Sequence, residues 1–189
     1  MAQLLSPFSD VYVIEPQRYH DDRGFFEVSF NPERFQEETG VEPRFLQDNL
    51  SESRSAGVVR GLHYQRPPFA QGKLVRCASG RLFDAIVDIR RGSPTFGRWG
   101  GVELSVDNGR QLWVPEGYAH GFVTLEPLTQ LAYKVTAPYS REDDRSIAWN
   151  DPEIGIEWPF DIARAHLSDK DAAAPRLSQA EIDFQWSGA

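Results

Sequence analysis

The sequence is poor in cysteine, in positive charge and in long apolar runs. Cys77 is the only cysteine among 189 residues, which excludes a disulfide within the chain and favours a reducing compartment. Lys and Arg number 20 against 28 Asp and Glu, a net charge of -8, so we expect no general binding to nucleic acid or to membrane surfaces. No segment has the length and apolar character of a membrane span, and the amino terminus lacks a secretion signal. We therefore expect a cytoplasmic protein.

Two common nucleotide-binding loops are also absent. The chain has no Gly-x-Gly-x-x-Gly sequence and no Walker-type loop, which excludes the usual signals for a Rossmann or P-loop fold. A local cluster of Arg and Lys can still bind a small anion within an acidic protein. The length fits one domain with its own core, and we expect a single domain over 1–189.

What the sequence does contain is a succession of short apolar runs separated by Gly, Pro and Asn. From residue 45 onward they recur about every eight to twelve residues, a spacing typical of a sandwich or barrel rather than of alternating strands and helices. The sequence therefore predicts an all-β protein. The predicted strands are 11–14, 24–30, 45–48, 57–65, 73–78, 81–89, 98–106, 111–114, 121–125 and 130–137.

A few peripheral helices are expected around these strands. Asn31 as N-cap, Pro32 at the first helical position and Gly40 as a stop predict a helix near 32–39. The segment 140–189 is expected to be irregular, except for a short final helix opened by the capping-box pattern from Ser178 to Glu181. In the run 82–89, one face is apolar and the other is mixed, so we expect the mixed face to line a partly wet cavity.

Two stretches carry histidine at related spacings. Gly57 is followed after five residues by His63-Tyr64-Gln65, and Gly109 after five residues by Pro115-Glu116-Gly117 and then His120. These stretches resemble the two cupin motifs, which implies a small jelly-roll barrel. Metal-binding cupins have a second histidine where this chain has Gln65, followed by a Glu that is missing between 66 and 80. Because two histidines make a poor transition-metal site, we expect no metal.

A closer resemblance extends over nearly the whole chain. The blocks that carry it are Arg23-Gly24-Phe25-Phe26, Gln47-Asp48-Asn49, Arg60-Gly61-Leu62-His63, Gln71-Gly72-Lys73, Asp88-Ile89-Arg90, Ser93-Pro94-Thr95-Phe96-Gly97, Pro115-Glu116-Gly117, Ala119-His120-Gly121-Phe122 and Asp169-Lys170-Asp171-Ala172. Together they are similar to the dTDP-4-dehydrorhamnose 3,5-epimerases. The resemblance implies a homodimeric enzyme, with no cofactor, that inverts C3 and C5 of dTDP-4-keto-6-deoxyglucose.

The resemblance also implies catalytic roles. His63 is the base, held by Asp171, and an imidazole suits this role because it titrates near neutral pH. Lys73 is the donor to the oxyanion at C4, and Tyr133 returns a proton on the opposite face of the sugar ring. His120 lies near the substrate in the family. Asp84 is expected to orient either His120 or Lys73.

A second set of matching positions is expected to bind the nucleotide. These are Arg23, Gln47, Asp48, Asn49, Arg60, Tyr139, Asp144 and Lys170, with Tyr139 stacking on thymine. Strict strand alternation would point Arg60 away from His63, and a bulge at Gly61 would resolve this. If an amino-terminal edge strand crosses to a second subunit, it would carry Arg23 into the site of that second subunit.

The chain departs from the family at two of these positions. The usual Glu after the Arg-Gly-Phe-Phe block is Val28 here, with Glu27 one position earlier, and Asp144 replaces a common Glu. A shift of one residue along a strand faces the opposite side, so we expect Glu27 not to be a ligand. These changes bear on base specificity rather than on proton transfer.

Taken one at a time, most of these residues have ordinary structural interpretations. His63 alone would be an interior histidine with its hydrogen bonds satisfied, and Lys73 alone a solvated edge charge. Their joint occurrence favours the epimerase. Three alternatives remain open: an enzyme that epimerises one carbon or acts as a 3,4-ketoisomerase, a metal-dependent cupin dioxygenase, and a non-catalytic module that binds nucleotide sugars.

Overall fold

The computed structural model describes residues 1–188, in which β-strands far outnumber helices. The strands are β1 (Ala2–Leu4), β2 (Tyr12–Ile14), β3 (Arg18–Asp21), β4 (Gly24–Glu27), β5 (Gln47–Ser53), β6 (Val59–Gln65), β7 (Lys73–Ser79), β8 (Arg81–Asp88), β9 (Trp99–Ser105), β10 (Gln111–Val114), β11 (Tyr118–Thr124), β12 (Thr129–Val135) and β13 (Asp144–Ser146). The helices are α1 (Pro32–Thr39) and α2 (Asp169–Ala172), with 3-10 turns at Ile162–Arg164 and Leu177–Gln179.

Two antiparallel sheets form the body of the protein. One sheet has the strand order β1-β2-β10-β7-β12-β5, the other has the order β13-β6-β11-β8-β9, and β3 and β4 form a separate hairpin. Most neighbours in each sheet are distant in sequence, as in a jelly roll, where the chain alternates between two facing sheets. The fold is the expected cupin-type jelly-roll barrel.

The apolar residues form three layers around these sheets. The layer between the sheets contains Val75, Leu82, Ile86, Leu104, Leu112 and Leu131, all nearly inaccessible to solvent. A second layer lies between the five-stranded sheet and the carboxyl-terminal segment, where Ile147, Trp149 and Trp158 pack against Ala85, Val87 and Ile89. In the third, Phe35 of α1 packs against Leu74 and Trp113 of the six-stranded sheet. The two faces of β8 therefore belong to different layers, and its mixed face is the one that turns into the barrel.

The expected helix is confirmed in position and in its ends. The Asn31 side chain accepts a hydrogen bond from the Arg34 amide, Pro32 is the first helical residue, and Gly40 ends the helix with φ of 72°. By contrast, the predicted final helix from Ser178 is wrong. A 3-10 turn occupies Leu177–Gln179 and the chain then extends, because Ala180 and Ile182 are buried in the second apolar layer and Glu181 bonds to Arg145.

The predicted strands differ from the observed ones mainly at the sheet edges. The expected strand 45–48 lies instead at Gln47–Ser53, where it pairs along its whole length with β12. The expected strand 24–30 ends at Glu27, since its only partner is the four-residue β3. Strands β1, β3 and β13 were not predicted. None of the helices in residues 1–188 has the length and apolarity needed to cross a membrane.

A β-bulge at Gly61 brings the side chains of Arg60 and His63 to the same side of β6. On β11, His120 pairs with His63 and Phe122 pairs with Arg60, so the one residue between them, Gly121, is matched by two residues of β6, Gly61 and Leu62. Gly61 has φ of 122°, and a Cβ atom built there would lie 2.6 Å from the Gly121 Cα atom. The predicted bulge is confirmed, and only glycine fits it.

We predict that Gly61→Ala lowers the free energy of unfolding by about 3 kcal/mol, because it combines backbone strain with a steric clash. Denaturant titration measures this loss. Gly92→Ala is the matched control, since Gly92 also has positive φ but an added Cβ atom there would meet no other atom within 4 Å. We expect the control to lose only about 1–2 kcal/mol. Equal losses in the two variants would show that the close contact with Gly121 is unimportant.

Candidate active site

A cavity of about 520 Å³ opens between the two sheets. Its walls bring together nine of the thirteen predicted site residues, from both sheets and from the carboxyl-terminal segment. These are Arg60 and His63 on β6, Lys73 on β7, His120 on β11, Tyr133 on β12, Tyr139, Asp144 on β13, and Lys170 and Asp171 on α2.

His63 and Asp171 form a hydrogen-bonded pair at one wall of this cavity. The Nε2 atom of His63 lies 2.5 Å from Oδ1 of Asp171, and the two side chains are 31% and 4% exposed. If Nε2 donates to the carboxylate, Nδ1 is left as the basic nitrogen. Asp171 thereby selects one tautomer of His63 and stabilises the imidazolium that forms when the histidine takes up a proton.

The carboxylate of Asp171 is kept ionised by its surroundings. Burial alone would raise the pKa of Asp171, but hydrogen bonds from His63, Ser168 and the Gly61 amide lower it below its ordinary value. Ser168 donates to Asp171 Oδ2 at 2.8 Å and caps α2 by accepting from the Asp171 amide. We did not predict Ser168, although Ser-x-x-Asp at 168–171 is a recognisable capping pattern.

Lys73 and a second histidine–aspartate pair lie deeper in the barrel. Nε2 of His120 lies 2.9 Å from each carboxylate oxygen of Asp84, and both residues are buried. Burial lowers the pKa of Lys73 to about 8, partly opposed by the negative charges of Asp84 and Asp144. Asp84 thus bonds directly to His120 and acts on Lys73 through its charge, which answers the question that the sequence left open.

Tyr133 stands on the opposite sheet from His63. Burial raises the pKa of Tyr133 above its ordinary value, an effect that the positive charge of Arg60 partly offsets. A phenol with a raised pKa stays protonated at neutral pH and is available as a proton donor. The cavity therefore has an imidazole on one wall and a phenol on the facing wall.

Three of the predicted nucleotide-binding residues are linked to one another at the rim of the cavity. The Tyr139 hydroxyl donates to Asp144 Oδ2 at 3.1 Å, and Lys170 Nζ donates to the same oxygen at 2.5 Å. Arg60 reaches the cavity from β6 while its guanidinium donates to the Glu52 carbonyl and to Ser53 Oγ. The rim thus presents an aromatic ring with cations nearby, a combination suited to a base and its phosphates.

Four predicted residues do not line the cavity. Arg23 is on the exposed β3–β4 hairpin and is paired with Asp21. Gln47 and Asn49 bond to each other at 2.6 Å on β5, an outer strand of the six-stranded sheet. Asp48 forms a salt bridge with Lys134, which alternates with Tyr133 and therefore faces the other side of the sheet. Within one chain, then, these four residues are separate from the His63–Asp171 pair.

Glu27, one position before the Glu that is usual in the family, forms a structural salt bridge. Its carboxylate is 2.8 Å from the Arg18 guanidinium, and both side chains are largely buried. Val28, at the family position, is half exposed. The expectation that Glu27 is not a ligand agrees with this pairing.

Several cavity residues were not among the predicted site residues. They include Ser51, Gln65, Gln71, Phe122, Leu131 and His166. Gln71 belongs to a block that carries the family resemblance, and Gln65 was considered only as a lost metal ligand. Phe122 also belongs to such a block. No sequence signal marks Ser51, Leu131 or His166 as site residues, because their place depends on strand pairing and on the path of the carboxyl-terminal segment.

The polar groups of the cavity do not form a recognisable metal centre. Among residues 1–188, no group of three or more His, Cys, Asp or Glu side chains is arranged to hold an ion. The position that would supply a second histidine in a cupin is Gln65, whose amide is fully bonded to backbone groups. The donor set therefore does not fit the usual ligands of a transition metal.

A jelly-roll barrel with a histidine–carboxylate pair, a buried lysine and an opposed tyrosine contains groups that can accept and donate protons, as an isomerase requires. The comparisons agree with this class. The family described as dTDP-4-dehydrorhamnose 3,5-epimerase matches residues 6–179. The enzyme of that name from Salmonella typhimurium is 54% identical over 180 residues, which cover 95% of this chain and 97% of that protein. The chain belongs to the dTDP-4-dehydrorhamnose 3,5-epimerase family and is a nucleotide-sugar epimerase.

Solved structures are similar over almost the whole length. The dTDP-6-deoxy-D-glucose-3,5-epimerase of Legionella pneumophila, in complex with dTDP-4-keto-L-rhamnose, has a TM-score of 0.92 and 45% identity and covers 98% of each chain. A 3'-monoepimerase from Streptomyces bikiniensis, in complex with dTDP-quinovose, has a TM-score of 0.86 and 32% identity and covers 93% of this chain and 88% of its own. The fold thus accommodates enzymes that invert either two carbons or one.

We predict that Lys73 titrates near pH 8, because burial destabilises its ammonium form. The chain has three lysines, so NMR of lysine labelled at Cε resolves each titration. Asp84→Asn removes a charge that raises the pKa, and we expect it to move the Lys73 midpoint still lower. A reaction that needs cationic Lys73 should slow as the pH rises through about 8. A midpoint near the ordinary value of 10.5 would contradict the burial of this ammonium group.

Proposed function

We propose that the protein epimerises C3 and C5 of dTDP-4-dehydro-6-deoxy-D-glucose to give dTDP-4-dehydro-L-rhamnose, without a metal or other cofactor. The observation that carries the proposal is the placement of His63 and Tyr133 on facing sheets across one cavity. Inversion at carbon requires that a proton leave one face of the ring and return to the other. A base and an acid on opposite walls meet that requirement without rotation of the sugar.

In the first step, Nδ1 of His63 takes a proton from the carbon next to the ketone. The C–H bond breaks and its electron pair moves towards the C4 oxygen, which forms an enolate. Asp171 stabilises the imidazolium through the 2.5 Å hydrogen bond. General base catalysis of this kind typically contributes about a hundred- to ten-thousandfold in rate.

The enolate oxygen needs a positive donor close to C4. Lys73 supplies it, with a pKa of about 8 that leaves the group cationic at neutral pH. An ammonium group in a buried site stabilises developing charge more strongly than one in water. Removing one such donor typically costs about a hundred- to a thousandfold in rate. His120, held by Asp84, faces the same cavity from the other sheet and adds to its polar end.

Reprotonation comes from the opposite wall. The phenol of Tyr133 donates its proton to the carbon as the enolate collapses back to the ketone, and this places hydrogen on the other face. The same cycle at the second carbon next to the ketone completes the double inversion. The phenol then regains a proton, and His63 loses one, by exchange with solvent.

The nucleotide lies at the rim in this proposal. Tyr139 stacks on thymine, while Arg60 and Lys170 contact the pyrophosphate, because a guanidinium and an ammonium group are suited to phosphate oxygens. The Asp144 carboxylate bonds to both Tyr139 and Lys170 and so aligns the two groups. Gln47, Asp48 and Asn49 remain predicted ligands on the adjoining edge strand.

We further propose that the protein is a cytoplasmic, single-domain enzyme that works as a homodimer. Phe25 and Phe26 are 47% and 65% exposed on the β3–β4 hairpin, and an apolar patch of this kind favours burial against another chain. A second copy seated there would receive Arg23 near its own cavity. Sedimentation at the mass of one chain would refute the dimer.

The decisive experiment is incubation of the protein with dTDP-4-keto-6-deoxyglucose in deuterium oxide, followed by proton NMR. We expect deuterium at both C3 and C5, and the rhamno-configured ketone as product. Label at one carbon alone would instead identify a monoepimerase, the alternative that the similarity to the Streptomyces bikiniensis structure favours. Binding of dTDP without any exchange would identify a non-catalytic module, and activity that disappears on chelation would identify a metal enzyme.

We predict that His63→Asn and Tyr133→Phe fail at different steps of the same reaction. Without the base, deuterium exchange should fall by at least about a thousandfold. Without the phenol, abstraction continues, so product formation should fall much more than exchange. Tyr12→Phe, a hydroxyl deletion on β2 outside the cavity, should change neither rate. Full exchange by the His63 variant would disprove its assignment as the base.

A further inference from the structure

The buried side chain of Gln65 bonds to two loops at the mouth of the cavity. Gln65 is only 5% exposed, at the last position of β6. Its Nε2 atom donates to the carbonyl oxygens of Phe69 and Pro138 at 2.7 and 3.0 Å, and its Oε1 atom accepts from the Ser140 amide at 2.8 Å. Both amide protons and the acceptor oxygen are therefore used in bonds to backbone.

Two of these three bonds are to the residues on either side of Tyr139. The Tyr139 side chain is 61% exposed, so little packing holds it in place. Its backbone position is instead set by Pro138 and Ser140, both bonded to the one Gln65 amide. Gln71, also in the cavity wall, donates to the Ala137 carbonyl at 2.7 Å and anchors the same loop one residue earlier.

The same loop continues directly to Asp144. The Asp144 amide donates to the Ser140 carbonyl at 3.0 Å, and Asp144 is opposite Gln65 in the pairing of β13 with β6. The rim segment, which we define as residues 137–144, thus has Gln65 as its main side-chain anchor to the barrel. Tyr139 and Asp144, the two rim residues that face the cavity, lie at the middle and the end of this segment.

We propose that Gln65 is a positioning residue for nucleotide binding: its amide holds the rim segment so that Tyr139 is pre-placed against the base. The inference rests on the proposed function, because it assumes that Tyr139 stacks on the nucleotide. Holding an exposed aromatic side chain in its bound position before the ligand arrives lowers the entropy cost of binding. Gln65 therefore acts on affinity for dTDP and not on proton transfer.

The chemistry of the side chain argues against direct contact with the substrate. With three backbone bonds made, the Gln65 amide has no free proton, and its oxygen already accepts one strong bond. Substitution by Met keeps the length and apolar stem while leaving the Phe69 and Pro138 carbonyls and the Ser140 amide without their partner. The rim segment then loses its anchor while the cavity walls keep their residues.

The test is calorimetric titration of dTDP into Gln65→Met. We expect a dissociation constant about tenfold weaker than that of the unmodified chain, since stacking on a mobile ring is less favourable. In steady-state assays KM should rise by a similar factor while kcat stays within about twofold. The matched control is Gln130→Met on β12. It removes one exposed hydrogen bond from the Gln130 amide to Glu52 on β5 and should leave dTDP affinity unchanged.

A double-variant cycle then asks whether the effect passes through Tyr139. Tyr139→Ala should weaken dTDP binding by itself, and Gln65→Met should add less than about twofold in that background. A full tenfold loss in the Tyr139→Ala background would overturn the proposal, because Gln65 would then act elsewhere. An unchanged dissociation constant in Gln65→Met, or in Tyr139→Ala alone, would overturn it equally.

Two further readouts separate this inference from misfolding and from failure of the proposed reaction. If Gln65→Met does not fold, Gln71→Met replaces it, with an expected loss of about threefold because only one bond to the rim segment is removed. Deuterium exchange by the unmodified protein is measured separately. Suppose that no deuterium exchange occurs but that the effect of Gln65→Met on dTDP affinity still depends on Tyr139. That result would refute the epimerase proposal and would leave the role of Gln65 in nucleotide binding intact.

Discussion

The hydrogen bond between His63 and Asp171 joins residues that are 108 positions apart in the chain. His63 belongs to the five-stranded sheet, and Asp171 belongs to a four-residue helix in the carboxyl-terminal segment. The bond forms only because that segment is folded back across the sheet, where Trp149 and Trp158 are buried. A buried carboxylate is unfavourable by itself, and hydrogen bonds from His63, Ser168 and the Gly61 amide keep it charged. The carboxyl-terminal layer is therefore as necessary to the site as the barrel itself.

The barrel adds a second constraint, which is the placement of His63 and Tyr133, the proposed base and acid, on two sheets. Strands β6 and β12 belong to different sheets, so His63 and Tyr133 face each other across the cavity and are not neighbours on one surface. Lys73 reaches the same space from β7, next to β12. Lys73, the proposed positive donor, thus shares a sheet with Tyr133 and faces the sheet that carries His63. A jelly roll provides this arrangement because its two sheets pack face to face.

The sequence predicted much of this structure where local chemistry decides the outcome. Helix α1 has its N-cap, first-turn proline and terminal glycine, and the central strands have their alternating apolar residues. His63, Lys73 and His120 on those strands belong to family blocks at fixed spacing, whereas Tyr133 was assigned from the overall resemblance. The bulge at Gly61 also followed from a local conflict, since Arg60 and His63 had to share a side of β6. Ser178–Glu181 is the opposite case, where burial of Ala180 and Ile182 overrides a good capping pattern.

The remainder depends on contacts that no local pattern describes. The sequence did not decide whether Asp84 orients His120 or Lys73. Only the pairing of β8 with β11 brings the Asp84 carboxylate within hydrogen-bonding distance of His120. The role of Gln65 as an anchor depends on bonds to Phe69 and Pro138, which are 4 and 73 positions away in the chain. For Arg23 and the Gln47–Asn49 strand, the contacts that would make them ligands lie outside one chain's cavity. Their assignment rests on resemblance.

In the proposed complex, the sugar ring lies between the imidazole and the phenol. A crystal structure of the protein with dTDP-6-deoxyglucose, which has a hydroxyl in place of the reactive C4 ketone, tests it most directly. We expect Nδ1 of His63 within hydrogen-bonding or van der Waals reach of C5 on one face of the ring. The hydroxyl of Tyr133 should lie at the opposite face, and Lys73 Nζ close to the C4 oxygen. A ring bound with both groups on the same face, or bound outside the cavity, would contradict the account.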